Sequence, residues 1–203
     1  MKLNIGSGSC NKSTPFAKDS NWVNVDIGYN KPKDIKWDAA EYMNFDLLDK
    51  WPIEDDSVDC IFASHVFEHF KYDKVLSAMQ QAFRALKVGH PIRIICPDPR
   101  KFWNNWQLKN DTFVHECYGE KYYNGYGYKV MPNIGFTDMF FPQHYDHQLI
   151  SSIDLIAICA IRASFSQVYE MNFSCTKFPE YFGSLDNTID NRPLLSWYLE
   201  CIK

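Results

Sequence analysis

Four groups of residues in the first seventy positions have the types and spacing to hold a nucleoside. Gly6-Ser7-Gly8 closes the apolar run Lys2–Ile5, and glycines after a first strand let the backbone approach a ligand closely. Asp26 follows eighteen residues after Gly8, at the end of the run Trp22–Ile27. A carboxylate there can accept both hydroxyls of a ribose. Asp46, with Leu47 and Leu48 behind it, offers a polar group and apolar flanks for a base. Ser64-His65-Val66-Phe67-Glu68-His69 ends a fourth apolar run and turns His65 and Glu68 toward a ligand mouth, with His69 beside them. Each group has a plain structural reading: a tight turn, a capping aspartate, a hydrogen-bonded histidine. Ligands of open α/β sheets bind at the carboxyl ends of strands, so four such groups in succession describe one nucleoside-sized site.

The elements that must position these residues follow from hydrophobic periodicity. Short runs at Lys2–Ile5, Trp22–Ile27, Glu41–Phe45, Val58–Ala63, Pro91–Cys96, Gln167–Met171 and Leu195–Ile202 read as strands. Lys74–Leu86 carries a helical stripe of Val75, Leu76, Met79, Ala82, Phe83 and Leu86, with Gly89 just beyond as a stop. Leu149–Ala163 reads as a second helix. Strands alternating with helices predict an α/β fold with a mostly parallel sheet covered on both faces.

Composition narrows the function classes. The chain has 203 residues, 46% hydrophobic and 23% charged, which suits one soluble domain spanning 1–203. A net charge of −4 argues against a general nucleic-acid surface, which is normally basic. No run of eighteen apolar residues predicts a membrane span, and no apolar leader is visible. The seven cysteines are odd in number and form no C-x-x-C pair, so reduced thiols, a cytoplasmic location and no zinc site are expected.

The glycine loop lacks the third glycine of a dinucleotide fingerprint, with Asn11 in its place, which disfavours a nicotinamide oxidoreductase. The longer motifs point elsewhere. L-N-I-G-S-G-S (3–9), N-V-D-I (24–27), F-D-L-L-D-K-W-P-I-E-D-D-S-V-D-C-I-F-A-S-H-V-F-E-H-F (45–70) and A-F-R-A-L-K-V-G-H-P-I-R-I-I-C-P-D-P (82–99) resemble a class I S-adenosylmethionine (SAM)-dependent methyltransferase. L-D-N (185–187) and S-W-Y-L-E-C-I-K (196–203) resemble the end of small methyltransferases of polysaccharide and glycan pathways. The resemblance implies a Rossmann-like sheet with an antiparallel last strand and SAM as cofactor. It places Gly6, Ser7 and Gly8 along the methionine part and Asp26 on the ribose. Asp46 and Leu47 fall at the adenine, and Ser64 and His65 beside the sulfonium and methionine chain. Asn4 stands where the family usually has an acidic residue.

Between the fifth strand and the second helix, Arg100–Tyr145 holds 13 of the 33 aromatics in 46 residues. This excess reads as a cap or lid over the site, about residues 100–145. Trp103, Tyr122, Tyr123 and Tyr126, with Glu68, are the candidate acceptor-binding residues, and Trp106, Tyr128, Asn104, Asn105 and Asn124 extend the set. Phe102, Phe113, Phe140 and Phe141 are expected in the cap's own small core. Flat aromatic faces with many amides suit a sugar, so the expected partner is a sugar or glycan acceptor, with no nucleic acid.

Transfer to a hydroxyl also needs a base. His144 is the leading candidate and Asp98, at the end of the fifth strand, the second; His115 and His147 stand behind them. Asp98, His144, Asp146 and His147 could also bind a divalent cation, but nothing in the sequence fixes their geometry, and no metal site is expected. The resulting expectation is an O-methyltransferase acting on a sugar hydroxyl. The alternatives are methyl transfer to another small molecule, or a non-catalytic SAM-binding module.

Overall fold

The structure, a computed structural model, describes residues 1–8, 15–27, 41–108, 110, 113, 147–190 and 193–203. Seven strands form one sheet: β1 (Lys2–Ile5), β2 (Trp22–Asp26), β3 (Glu41–Asn44), β4 (Cys60–Ser64), β5 (Pro91–Pro97), β6 (Gln167–Met171) and β7 (Ser196–Ile202). Their order is β3-β2-β1-β4-β5-β7-β6. β3, β2, β1, β4 and β5 run parallel, and β7 lies antiparallel between β5 and β6. The chain reverses its direction of travel across the sheet between β1 and β4. The ends of β1, β2 and β4 therefore open together into a crevice.

Alternation along the central strands sorts side chains to the two faces. Ile61 and Ala63 of β4, Ile92, Ile94 and Cys96 of β5, and Trp197, Leu199 and Cys201 of β7 join the larger core. Helices α2 (Tyr72–Ala85) and α4 (Ile153–Arg162) cover it. Val75, Ala78, Met79, Ala82 and Ala85 are the buried stripe of α2, spaced three and four apart as an amphipathic helix requires. Cys60, Phe62, Ile95 and Tyr198 point the other way. They pack with Phe16 of α1 (Pro15–Lys18), Phe182 of α5 (Pro179–Phe182) and Leu185 of α6 (Leu185–Ile189).

That second face also holds a buried ionic cluster. Arg93 donates to Asp186 through Nε at 2.8 Å and through Nη2, and to Glu200 through Nη1 at 2.6 Å. The Ser174 and Lys177 amides and the Thr176 hydroxyl satisfy the same two carboxylates. Asp186 belongs to the L-D-N motif, so in this structure that motif clamps α6 onto the sheet. Asn4 also has a structural partner: its amide donates to Asn24 Oδ1 at 2.8 Å across β1 and β2.

The sheet is the one expected, with shifts at the ends of elements. β4 begins at Cys60 rather than Val58, because the Val58 amide bonds the Ala85 carbonyl and Val58 makes only an isolated bridge to Leu86. The second long helix starts at Ile153 rather than Leu149. The amides of Gln148 and Leu149 are taken by the Glu68 carbonyl, and Ser152 caps the helix by accepting from the Leu155 amide. The five-residue α6 and four-residue α5 are too short to leave a periodic signal.

Part of the stretch read as a cap is the helix α3 (Pro99–Gln107). Phe102 and Phe113 are buried and stack edge-to-face at 5.4 Å, as expected of a small core. Trp103 is 46% exposed on the same helix. Tyr122, Tyr123, Tyr126, Tyr128, Asn124, Phe140, Phe141, His115, His144 and Asp146 lie outside the described residues, as does the Trp106 side chain.

Candidate functional site

A cleft of about 350 Å³ opens at the ends of β1, β2 and β4. Gly6, Gly8, Asp26, Asp46, Leu47 and His65 all line it. Six of the eight residues expected at a nucleoside cofactor are thus brought into one cavity. Its volume falls in the range of about 300–1,000 Å³ usual for small-molecule and cofactor sites. Ser7 and Ser64 sit at the same strand ends without lining it; the Ser7 hydroxyl faces Tyr42 Oη at 3.4 Å.

The glycine loop is shaped by its backbone. Gly6 has φ +63° and Gly8 φ +53°, the left-handed region that side chains disfavour. A Cβ on Gly6 would lie 2.3 Å from Val66 Cγ2. Gly6 therefore lets the loop pack directly on the segment after β4. The Ser7 amide donates to the Val25 carbonyl at 3.0 Å, and the Gly8 amide donates to Asp26 Oδ2 at 2.5 Å. Asp26 Oδ1 accepts from the Ile27 amide at 2.7 Å. The carboxylate is thereby held at the cleft wall, and each of its oxygens keeps a lone pair for a further donor.

Asp46 forms a tight turn by accepting the Leu48 amide at 2.8 Å. Its neighbour Leu47 is buried, and the Leu47 carbonyl accepts from the Trp51 indole at 3.1 Å. The turn and the leucine are both fixed before any ligand arrives.

His65 is the strained residue of the site, with φ +55°. Its amide donates to the Ile95 carbonyl at 2.8 Å, which ties the turn to β5. Nδ1 lies 3.1 Å from Glu68 Oε1, and Nε2 lies 3.9 Å from Asp190 Oδ1. Burial works to lower the His65 pKa, but the bonds to Asp190 and Glu68 outweigh it and raise it to about 9. Burial likewise works to raise the Glu68 pKa, and the bond and charge of His65 hold it below the ordinary carboxylate range. Tyr198 completes the chain, donating to Asp190 Oδ2 at 2.6 Å.

Glu68, His69 and Val66 belong to one turn of 3-10 helix and its cap, Phe67–His69. Val66 and Phe70 extend the cleft lining and were not singled out as ligand contacts from sequence; His69 lines it as well, whereas Glu68, expected at the same mouth, is buried and does not. Asp190 had no sequence signal. It lies 125 positions after His65 and reaches it only through the fold.

Asp98 is buried at the start of α3. Its Oδ1 accepts from the Arg100 amide at 3.0 Å and from Arg100 Nε at 3.1 Å, and its Oδ2 accepts from Nη2 at 3.1 Å. Arg100 continues to Glu170 at 2.9 Å, and the two acids raise the already high pKa of the guanidinium. Asp98 and the donor cleft are joined through β5, whose end neighbours Ser64 of β4. His147 lies beside His69, with ring centroids 5.0 Å apart.

Comparison with known proteins gives the same picture. Residues 3–92 match the family model described as a methyltransferase domain. No curated protein matches the chain. Among solved structures, a SAM-dependent methyltransferase from Archaeoglobus fulgidus superposes with TM-score 0.56 at 12% identity. The match covers 100% of this chain and 85% of that one. A SAM-dependent methyltransferase, possible histamine N-methyltransferase, from Thermotoga maritima gives 0.57 at 13%, covering 100% and 81%. One from Methanosarcina mazei gives 0.53 at 14%, covering 100% and 91%. The fold is that of the class I SAM-dependent methyltransferases.

Proposed function

We propose that this SAM-dependent methyltransferase domain methylates a hydroxyl group of a sugar, as part of a glycan or polysaccharide. The observation that supports a nucleoside donor most directly is the single cleft lined by Gly6, Gly8, Asp26, Asp46, Leu47 and His65. Asp26 would take the ribose hydroxyls, and the Asp46–Leu47 turn the adenine. The left-handed Gly6–Gly8 loop would lie along the methionine chain. The residues fit SAM chemically: a carboxylate for a diol, an apolar wall for a base and a side-chain-free loop for a close approach.

The sulfonium supplies an activated methyl group. An acceptor oxygen attacks the methyl carbon, and the carbon–sulfur bond breaks with its electron pair left on sulfur. The products are the methyl ether and the neutral thioether S-adenosylhomocysteine. The acceptor's proton must go to a base, for which His144 is proposed on its place in Q-H-Y-D-H. Asp98 is given a positioning role, because its oxygens already hold Arg100 and the start of α3. Placing donor and acceptor in line supplies most of the acceleration.

The acceptor assignment draws on the aromatic and amide content of 100–145 and on Trp103, whose ring is half-exposed one turn into α3. Tyr122, Tyr123 and Tyr126 are proposed as further stacking faces. Calorimetry with S-adenosylhomocysteine tests the donor half, with stoichiometric binding expected. Labelled SAM offered with oligosaccharides, catechols and amines tests the acceptor half. Methylation of oligosaccharides, abolished by His144→Ala, is expected. Turnover of a catechol or amine with none on sugars would overturn the acceptor class, and binding without any turnover would leave a non-catalytic module.

A further inference from the structure

We propose that Glu68, His69 and His147 bind one divalent transition-metal cation at the edge of the donor cleft. One ligand atom from each of these residues lies within 4.8 Å of the other two. A carboxylate oxygen and two imidazole nitrogens make a donor set suited to ions such as Zn²⁺ or Mn²⁺ and less to Mg²⁺ or Ca²⁺, which prefer oxygen alone.

Two further observations converge on this place. Glu68 is buried, with 1% of its surface exposed, and its Oε1 is engaged by His65. Its Oε2 makes no hydrogen bond among the described residues. A buried carboxylate oxygen without a donor is costly and calls for an explanation such as an ion or a water. Glu68 and His147 also line one small cavity of about 10 Å³, together with Pro97, Pro99 and Ser151. That is room for about one water-sized particle.

The backbone sets this arrangement. The 3-10 turn puts Glu68 and His69 side by side, and the Glu68 carbonyl accepts from the amides of Gln148 at 2.8 Å and Leu149 at 3.2 Å. His147 is thus anchored by its successors to the residue whose side chain it faces. His65 fixes the Glu68 rotamer through Oε1, as an outer partner commonly orients a metal-binding carboxylate.

His69 also lines the donor cleft, and His147 follows closely in sequence on the stretch proposed above to bind the acceptor. A cation here would hold an acceptor oxygen near the methyl group and lower that hydroxyl's pKa. This role rests on the methyl-transfer reading above; the cation site itself does not.

The test is calorimetry of the full chain with MnCl₂ and with ZnCl₂, run beside titration with S-adenosylhomocysteine. One equivalent of cation should bind. His147→Ala and His69→Ala should each weaken it at least tenfold, as expected when a ligand is removed. His147→Ala should leave S-adenosylhomocysteine affinity unchanged, since His147 does not line the donor cleft. Absence of cation binding to the wild-type chain would overturn the proposal. So would binding of undiminished strength in both variants. Nucleoside binding without cation binding would remove the metal alone, and cation binding without nucleoside binding would remove the donor reading alone.

Discussion

The Gly8 amide donates to the Asp26 carboxylate at 2.5 Å, joining the loop after β1 to the end of β2 across the mouth of the cleft. Loop and acid are therefore one device, and each depends on the other for its position.

Asp26→Ala removes the proposed diol acceptor and the anchor of Gly8 together. Charge-assisted hydrogen bonds contribute about 1.5–3 kcal/mol each, so S-adenosylhomocysteine should bind roughly ten- to a hundredfold more weakly. Asp26 is at the cleft wall rather than in the core, and the melting temperature should move little. Calorimetry and a thermal melt of the same preparation separate the two effects.

Gly6→Ala should damage fold and site alike. The left-handed backbone costs a side chain about 1–2 kcal/mol. The new Cβ would also collide with Val66 at 2.3 Å. A total loss of about 2–5 kcal/mol is expected, since overpacking adds about 1–3 kcal/mol. Gly6→Ala with Val66→Ala relieves the collision but not the backbone strain. Urea denaturation should therefore place the double variant's glycine-specific penalty, measured against Val66→Ala alone, below that of the single variant.

Asp186→Ala tests the buried ionic cluster. It leaves Arg93 with one carboxylate, Glu200, beside the Asn172 carbonyl at 3.4 Å, and strips the Ser174 amide of its acceptor. Breaking a buried pair from one side typically costs about 3–5 kcal/mol, and the remaining carboxylate places the expectation near the lower end. The folded fraction should keep its affinity for S-adenosylhomocysteine, because the cluster lies away from the strand-end cleft. A loss of affinity at full folding would show that the L-D-N motif acts in the site.

Acid stability should carry a signature of Asp59. Burial works to raise its pKa, but the Lys87 ammonium at 2.6 Å and the Met1 ammonium outweigh it and lower it to about 2. A carboxylate whose pKa is lower folded than unfolded contributes stability that is complete above its unfolded pKa of about 4 and fades as pH falls through about 2. The side chain is partly exposed, and screening limits the contribution to about 1 kcal/mol or less. Urea midpoints of Asp59→Asn should lie below wild type at neutral pH and converge with it at the acid end.

Much of the candidate cleft was legible because it is written locally. Gly6, Asp26, Asp46 and His65 each stand where an apolar run stops, and a parallel sheet places such stops in a row. The antiparallel strand Ser196–Ile202 followed from the resemblance rather than from its own residues. The rest had no local mark. Asp98 read as a candidate base, and the structure adds a partner two residues away, Arg100, that holds both its oxygens. Leu149 looked like the start of a helix by hydropathy, yet its amide goes to Glu68, and the helix waits for the Ser152 cap.

Sequence alone determined where the central strands lie, because β4, β5 and β7 are buried on both faces and so read as nearly continuous apolar runs. It also determined the glycine-bearing strand end, because a backbone with positive φ and a contact at Gly6 leaves few other residue types. Tertiary structure alone decided the long-range partners. Glu68 meets His147, His65 meets Asp190, and Arg93 meets Asp186 and Glu200. Such pairs leave no periodicity in the chain. They arise only when the sheet order sets distant strand ends side by side and burial then requires each polar group to find a partner.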